Sequence, residues 1–357
     1  MDTETAQATE RESARDPYEK AARAVAQAVA EAAADSATRS AEHVTELAAP
    51  AHRAYRLIED VERWPLLFAP CIWSRELERT GDVQRIRLWA LIGHEVKSWT
   101  SRRVLDPVTH RIDFAQEVPA PPITAMAGHW RFDDATPDAP GRLELGHRWT
   151  TTGGEFAADR IAGALDTNST VEIGAIRSWA ERAQEPDELI LSFSDEETVA
   201  GPAGEVYDFL YRADLWPRRL PHVAQLDLET DPPTDATAGA EVQTLDMDTS
   251  AADGSTHSTQ SVRLCFAGER IVYKQTTPPR GLLAHSGEWI ISGGPDGTRV
   301  TARHTVALDP DAIEGVFGAA ITLPEARAKV RDIIGGNSRG TLRAARRHLE
   351  GEGAGDA

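Results

Sequence analysis

The chain has 357 residues, 41% apolar and 27% charged, a globular composition on a chain long enough for two domains rather than one. Its 38 Lys plus Arg against 57 Asp plus Glu give a net charge of −19, which repels phosphate backbones and anionic bilayers and argues against a nucleic-acid or membrane role. Cys71 and Cys265 lie far apart and outside any metal-ligand spacing, as expected of reduced thiols in a cytoplasmic protein.

The first residues, MDTETAQATERESARD, are acidic and polar, unlike a secretory signal. No apolar run approaches the roughly 18–20 residues that span a bilayer. Residues 1–40 are Ala-, Glu- and Arg-rich with little bulk to bury, and are expected to be a mobile extension. A first strand is predicted over 42–47, then a helix opened by Pro50, then a Trp64-Pro65 pair. Segments of period-two alternation follow, and a long helical stretch over about 156–184 closes this half. The polar stretch at 183–188 reads as a boundary, giving domains over 41–184 and 187–350. The second half repeats the plan: a strand over 188–198, a helix opened by Pro202, Trp216-Pro217, alternating strands and a long helix over 310–349.

The repetition extends to the residues. Pro50, Ala51, Tyr55, Trp64 and Pro65 fall on Pro202, Ala203, Tyr207, Trp216 and Pro217 at one constant offset. RIDFAQE at 111–117 matches RIVYKQT at 270–276, GHW at 128–130 matches GEW at 287–289, and DTNST at 166–170 matches GGNSR at 335–339. Each unit is far longer than the 20–50 residues of a solenoid repeat, so this is a duplicated domain. One strand, short helices, a meander of strands and a terminal helix describe an α+β domain, with a cavity between an antiparallel sheet and its C-terminal helix.

Strand alternation selects the side chains that enter that cavity. His147 shares a face with Leu143, Leu145 and Trp149, and His304 with Val300, Ala302, Val306 and Leu308, so both are expected inward. Gln116 and Gln275 occupy matching inward phases. Ser101 and Arg103 share a face, as do Ser261 and Arg263, although in the second half Val262, Leu264 and Phe266 hold the opposite phase. No acidic residue shares the face of either arginine. Arg263 has a surface position as its alternative; facing inward, each arginine is expected to await a ligand oxygen, and its loss to leave the fold intact. His285 lies on one strand face with Trp289, the counterpart of Trp130. Asn168 and Asn337 sit mid-helix, an unfavourable place that predicts contact with the cavity. The G-x-S-x-G pattern at 336–340 falls in a helical run and its counterpart lacks both glycines, so no serine nucleophile is expected. There is no P-loop, dinucleotide fingerprint or metal-ligand spacing, so neither metal nor cofactor is expected.

On the WP segments around Trp64 and Trp216, WTSRRVLDP at 99–107, RIDFAQEVPAPP at 111–122, SVRLCF at 261–266, RIVYKQ at 270–275 and the Asn-Ser helices, residues 41–350 resemble the didomain aromatase/cyclases of bacterial type II polyketide synthases. The resemblance implies tandem helix-grip domains, related to START and birch-pollen-allergen folds, each an antiparallel sheet wrapped around a long C-terminal helix. It implies a cofactor-free cyclase/dehydratase, a carbon–oxygen lyase. The substrate would be a reduced poly-β-ketone carried on the phosphopantetheine of an acyl carrier protein, with other synthase components as partners. The first ring would close by aldol condensation and aromatise by dehydration. The family's pocket Arg maps to Arg103 and Arg263, its Ser to Ser101 and Ser261, and the pocket His of single-domain members to His147 and His304. Where those members place a helical acid, this sequence has Asn168 and Asn337. Trp64, Trp216, Gln116, Gln275, Trp130, Trp289 and His285 complete the expected substrate contacts. The rival reading is a non-catalytic START-like carrier of an apolar ligand.

Overall fold

A computed structural model describes residues 38–250 and 256–351. The chain divides into two compact units, Met1–Ala183 and Gln184–Ala357. The expected extension falls outside the described residues as far as residue 37; its last two residues already belong to the first strand, which starts at Arg39.

Unit 1 runs β1 (Arg39–Leu47), α1 (Ala51–Glu59), α2 (Trp64–Leu67), β2 (Cys71–Thr80), β3 (Val83–Ile92), β4 (Glu95–Asp106), β5 (Arg111–Val118), β6 (Ile123–Asp133), β7 (Gly141–Thr151) and α3 (Gly154–Ala180). Unit 2 runs α4 (Pro186–Leu189), β8 (Ile190–Val199), α5 (Ala203–Tyr211), α6 (Trp216–Arg219), β9 (Val223–Asp231), β10 (Glu241–Ser250), β11 (Thr256–Phe266), β12 (Arg270–Thr277), β13 (Leu282–Gly294), β14 (Gly297–Leu308), α7 (Ile313–Phe317) and α8 (Leu323–Glu350). Each unit holds one seven-stranded antiparallel sheet, ordered β1-β7-β6-β5-β4-β3-β2 and β8-β14-β13-β12-β11-β10-β9. The terminal helix packs against the strands at one end of that order, α3 on β1 and β7 and α8 on β8 and β14. These are tandem helix-grip domains.

The short helices seal one end of each grip. In α1 the residues Ala51, Ala54, Tyr55, Leu57 and Ile58 are buried, a helical stripe facing the sheet. In α5 Val206, Tyr207, Phe209 and Leu210 do the same. Pro50 and Pro202 stand at the N-caps, and Pro65 and Pro217 in the first turns of α2 and α6, where a missing N–H costs nothing. Trp130, Phe132 and Leu145 in unit 1, and Trp289, Ile291 and Val300 in unit 2, give the sheets their buried face.

The terminal helix of unit 2 is shorter than the expected span over 310–349. Gly318 and Ala320 take positive φ of 105° and 64°, which ends the short helix α7. Thr322 then opens α8 with a capping box to Glu325, beside Pro324 in the first turn. Unit 1 has no such insertion: β7 ends at Thr151 and α3 begins at Gly154. Both cysteines are buried free thiols. Among the described residues no helix is long and apolar enough to cross a membrane, and no group of His, Cys, Asp or Glu could hold a metal ion.

Candidate active site

Antiparallel pairing sets residues of successive strands side by side in rows across the sheet. In unit 1 one row reads Gln84, Arg103, Phe114, Gly128, His147, Ala41. In unit 2 the same row reads Gln243, Arg263, Tyr273, Gly287, His304, Phe193. A neighbouring row brings Ser101 beside Gln116, and Ser261 beside Gln275 and His285. The glycine of the first row is a packing requirement. A Cβ on Gly128 would collide with the Phe114 ring, and one on Gly287 with the Tyr273 ring. Both aromatic rings lie over the glycine and reach toward the histidine one strand further.

In unit 1 these rows floor a cavity of about 630 Å³. Trp64, Ser101, Arg103, Gln116, Trp130, His147 and Asn168 all line it. Arg103 does not stand without protein partners, which corrects the expectation from sequence. It is 1% exposed and donates from Nη1 to the Ile58 carbonyl at 2.8 Å and from Nη2 to the Glu59 carbonyl at 2.8 Å. Nε donates to Gln84 Oε1 at 3.1 Å, and Nη2 donates to the same oxygen. Its guanidinium carbon lies 5.2 Å from the Trp64 ring centroid. The two carbonyls are the open acceptors at the C-terminal end of α1, where a cation is favoured. Burial lowers the Arg103 pKa to about 9, against the opposing pull of Tyr55 and Glu59. Arg103 thus fastens α1 to the sheet and stacks Trp64.

His147 is pushed down to about 4 by burial, with His43 and His129 adding to the effect, so it is neutral. Its Nδ1 lies 3.5 Å from Ser169 Oγ on α3, and Phe114 meets its ring edge to face at 5.5 Å. One turn beyond Asn168 on the same helix face, Glu172 also lines the cavity. Burial alone raises its carboxyl from 4.5 to about 7. Gln116 donates to Met126 Sδ at 3.2 Å, and its Oε1 is buried without a hydrogen-bond partner.

In unit 2 the cavity is about 270 Å³ and is lined by Trp216, Ser261, Arg263, Gln275, His285, Trp289, His304 and Asn337. The loss of space has visible causes. Val316 and Phe317 of α7 enter the lining, and Ile333 takes the helix position that Ala164 holds in unit 1. Arg263 is more sparsely held than Arg103. Its Nη2 donates to the Leu210 carbonyl at 2.8 Å, Cys265 lies beside it, and Nη1 is buried without a hydrogen-bond partner. Burial lowers its pKa, and its guanidinium carbon lies 5.1 Å from the Trp216 ring centroid. Gln243, on the same row, accepts from the Cys265 thiol at 3.7 Å.

Beyond the arginine, unit 2 replaces an apolar pair with a polar network. Phe114 and Met126 give way to Tyr273 and His285 at the aligned positions. Tyr273 Oη lies 2.7 Å from His304 Nδ1 and 3.4 Å from His285 Nε2. The two ring nitrogens are 3.3 Å apart, and His285 Nδ1 is 2.8 Å from Gln275 Oε1. Burial is the leading cause that brings His285 to about 3 and His304 to about 4, so both rings are neutral, and it raises the Tyr273 phenol.

Residues 47–172 match the sequence profile of a family described as polyketide cyclase/dehydrase and lipid transport. The granaticin polyketide synthase bifunctional cyclase/dehydratase of Streptomyces violaceoruber is 46% identical over 85% of this chain and 92% of its own length. The chain belongs to the didomain aromatase/cyclase family. The actinorhodin polyketide synthase bifunctional cyclase/dehydratase of Streptomyces coelicolor is 43% identical over 85% of this chain and 94% of its own. Among solved structures, the di-domain ARO/CYC BexL superposes with a TM-score of 0.72 at 42% identity, covering 87% of this chain and 99% of BexL.

For this member of the family, the residues singled out by alternation all reach one cavity or the other. Glu172, Tyr273, Gln84 and Gln243 were missed. Glu172 lies four residues after Asn168, so the helical period alone could have found it. Gln84 and Gln243 carry no sequence signal until the strand register sets each beside its arginine.

Proposed function

We propose that this chain is a cyclase/dehydratase that folds an acyl-carrier-bound reduced poly-β-ketone, closes its first ring by aldol condensation and aromatises it by dehydration. It acts as a carbon–oxygen lyase through its side chains, among other components of a type II synthase in the cytoplasm. The observation that carries this reading is the polar row crossing the apolar cavity of each unit. Aldol closure needs an enolate and a polarised carbonyl. Elimination needs a base for the α-proton and an acid for the departing hydroxyl.

The larger cavity of unit 1, about 630 Å³, suits the uncyclised chain. There Glu172, raised to about 7, can take up or release a proton near neutral pH, and the neutral ring of His147 lines the same cavity. Trp64, Trp130 and Phe114 hold the carbon chain, and folding it in one register is itself catalysis. Arg103 acts through Trp64 rather than on substrate. A carrier of apolar cargo would gain nothing from these buried polar groups, and the relatives in hand are named cyclase/dehydratases.

Reconstitution of a synthase that makes a reduced polyketide tests this. With the wild-type chain the product should be aromatic and lighter by one water; with Glu172→Gln, undehydrated or miscyclised shunt products should accumulate. Identical product mass and ratio with and without the protein would reduce it to a carrier.

A further inference from the structure

The network of unit 2 has one consequence that follows from hydrogen-bonding chemistry. An amide oxygen only accepts, so the 2.8 Å contact to Gln275 Oε1 requires the proton of neutral His285 on Nδ1. His285 Nε2 is then a lone pair facing His304 Nδ1 at 3.3 Å. Two arrangements remain. If Tyr273 donates to His304 Nδ1, two ring lone pairs confront each other, and His304 must carry its proton on Nε2. That nitrogen is buried without a hydrogen-bond partner, and an orphaned buried N–H is the costlier orphan. If instead His304 carries its proton on Nδ1, it donates to Tyr273 Oη at 2.7 Å and leans on His285 Nε2. Every facing pair is then donor to acceptor. The orphan at Nε2 is only a lone pair.

In this second arrangement the Tyr273 hydroxyl proton has one protein acceptor, His285 Nε2, at a long 3.4 Å. His285 and His304 are 7% and 5% exposed, while Tyr273 is half-buried and lines the cavity. Tyr273 is therefore the least buried of the three in the cavity, and its hydroxyl receives a hydrogen bond that makes it a stronger donor.

We propose that Tyr273 is a catalytic residue of unit 2, donating its O–H to the carbonyl or enolate oxygen of the substrate, with His304, His285 and Gln275 as the positioning residues that aim it. The inference deepens the cyclase/dehydratase reading and rests on it. The donor polarises the carbonyl, and a solvent water takes the proton of the adjacent C–H as the C–H pair becomes the enolate. The enolate held by the phenol reforms its carbonyl as the C–O bond to the β-hydroxyl breaks; the departing hydroxide takes the proton back from that hydronium and leaves as water. Tyr273 keeps its own proton throughout. Unit 1 cannot make this contact, because Phe114 has no hydroxyl.

Histidine-selective nitrogen-15 NMR of the full chain, with His285→Gln and His304→Gln to assign signals, reads the tautomers directly. Both rings should be neutral and protonated on Nδ1. His304 protonated on Nε2, or His285 on Nε2, would overturn the proposal, since the phenol proton would then be consumed within the network. In the reconstituted synthase Tyr273→Phe, which copies the ring of unit 1, should lower dehydration turnover about a hundredfold with KM little changed. It should also return part of His304 to the Nε2–H form, which a merely structural tyrosine would not do. Unchanged turnover in this variant with the tautomers as stated would remove Tyr273 from the chemistry while leaving the activity of the chain, read from wild-type dehydration, standing.

Discussion

The two units share one fold, one cross-sheet row and one arginine–tryptophan stack, yet their cavities differ in size and chemistry. Unit 1 encloses about 630 Å³, with a carboxyl from its terminal helix and an apolar Phe114–Met126 wall. Unit 2 encloses about 270 Å³, with Thr341 at the helix position of Glu172 and a phenol–imidazole network in place of that wall. Duplication preserved what builds the grip: the glycine under the ring, the arginine at the helix end, the prolines at the caps. It kept the paired Ser, Gln, Trp, His and Asn of the cavities and released Phe114, Met126 and Glu172, where unit 2 has Tyr273, His285 and Thr341. The difference fits a roomy site for a flexible chain and a tighter one for a more compact intermediate.

The comparison is broken most sharply at the arginines. Arg103→Ala leaves the Ile58 carbonyl and Gln84 Oε1 without their donor and the Glu59 carbonyl with only the long bond from Gln84 Nε2 at 3.4 Å, and should cost unit 1 about 3–5 kcal/mol in urea unfolding. Arg263→Ala loses one carbonyl bond and an already unpartnered Nη1, and should cost about 1–2 kcal/mol. Equal losses from the two variants would show that the denser hydrogen bonding of Arg103 adds nothing to the hold on α1.

Most of the fold was legible because repetition and alternation are properties of the chain itself. Leu145 and His147 read as inward from period two, and they line the cavity. The role of Arg103 was not legible, since its acceptors are main-chain oxygens some 44 residues away that no side-chain pattern reports. Tyr273 could be placed inward beside Gln275. Its link to His304 depends on register across β13, where Gly287 lets the phenol pass. The helix expected from about 310 starts at Leu323, because Gly318 and Ala320 at positive φ break the run and Thr322 with Pro324 restarts it, stop and start signals that the chain itself carries.

Glu172 sharpens the comparison through pH. Burial raises its folded-state pKa from 4.5 to about 7, so between those values the folded state holds a proton that the unfolded state has lost. The contribution of Glu172 to the stability of unit 1 should fall as pH rises from about 4.5 to about 7, then level off, while His147, lowered to about 4, contributes with the opposite sign below about 6.5. Glu172→Gln should remove that contribution, leave the rise with pH that His147 supplies, and stabilise the protein by about 2 kcal/mol at pH 8. Unit 2 has the opposite sign. His285 and His304, lowered to about 3 and about 4, favour the neutral rings, so its stability should fall as pH drops below about 6.5. A Glu172→Gln protein with the wild-type pH dependence above pH 5 would mean that the carboxyl is solvated and no acid–base group of unit 1.

The smallest expected effect lies at the starts of the two terminal helices. In unit 2, α8 opens with Thr322 accepting from the Glu325 amide, while the Glu325 carboxylate accepts from the Thr322 amide at 2.9 Å. In unit 1, α3 opens at Gly153 and Gly154, both at positive φ, with no side-chain cap. The first turns of α3 nevertheless line the larger cavity through Ala157, Arg160 and Ile161. An uncapped start exposes the first amides and lowers the cost of local opening. Amides of residues 155–158 should therefore exchange with deuterium faster than those of residues 324–328. Thr322→Ala should cost about 1 kcal/mol and bring the start of α8 toward the exchange rates of α3, leaving the middle of both helices unchanged. If the two starts exchange alike in the wild-type chain, capping does not set the local opening of these helices.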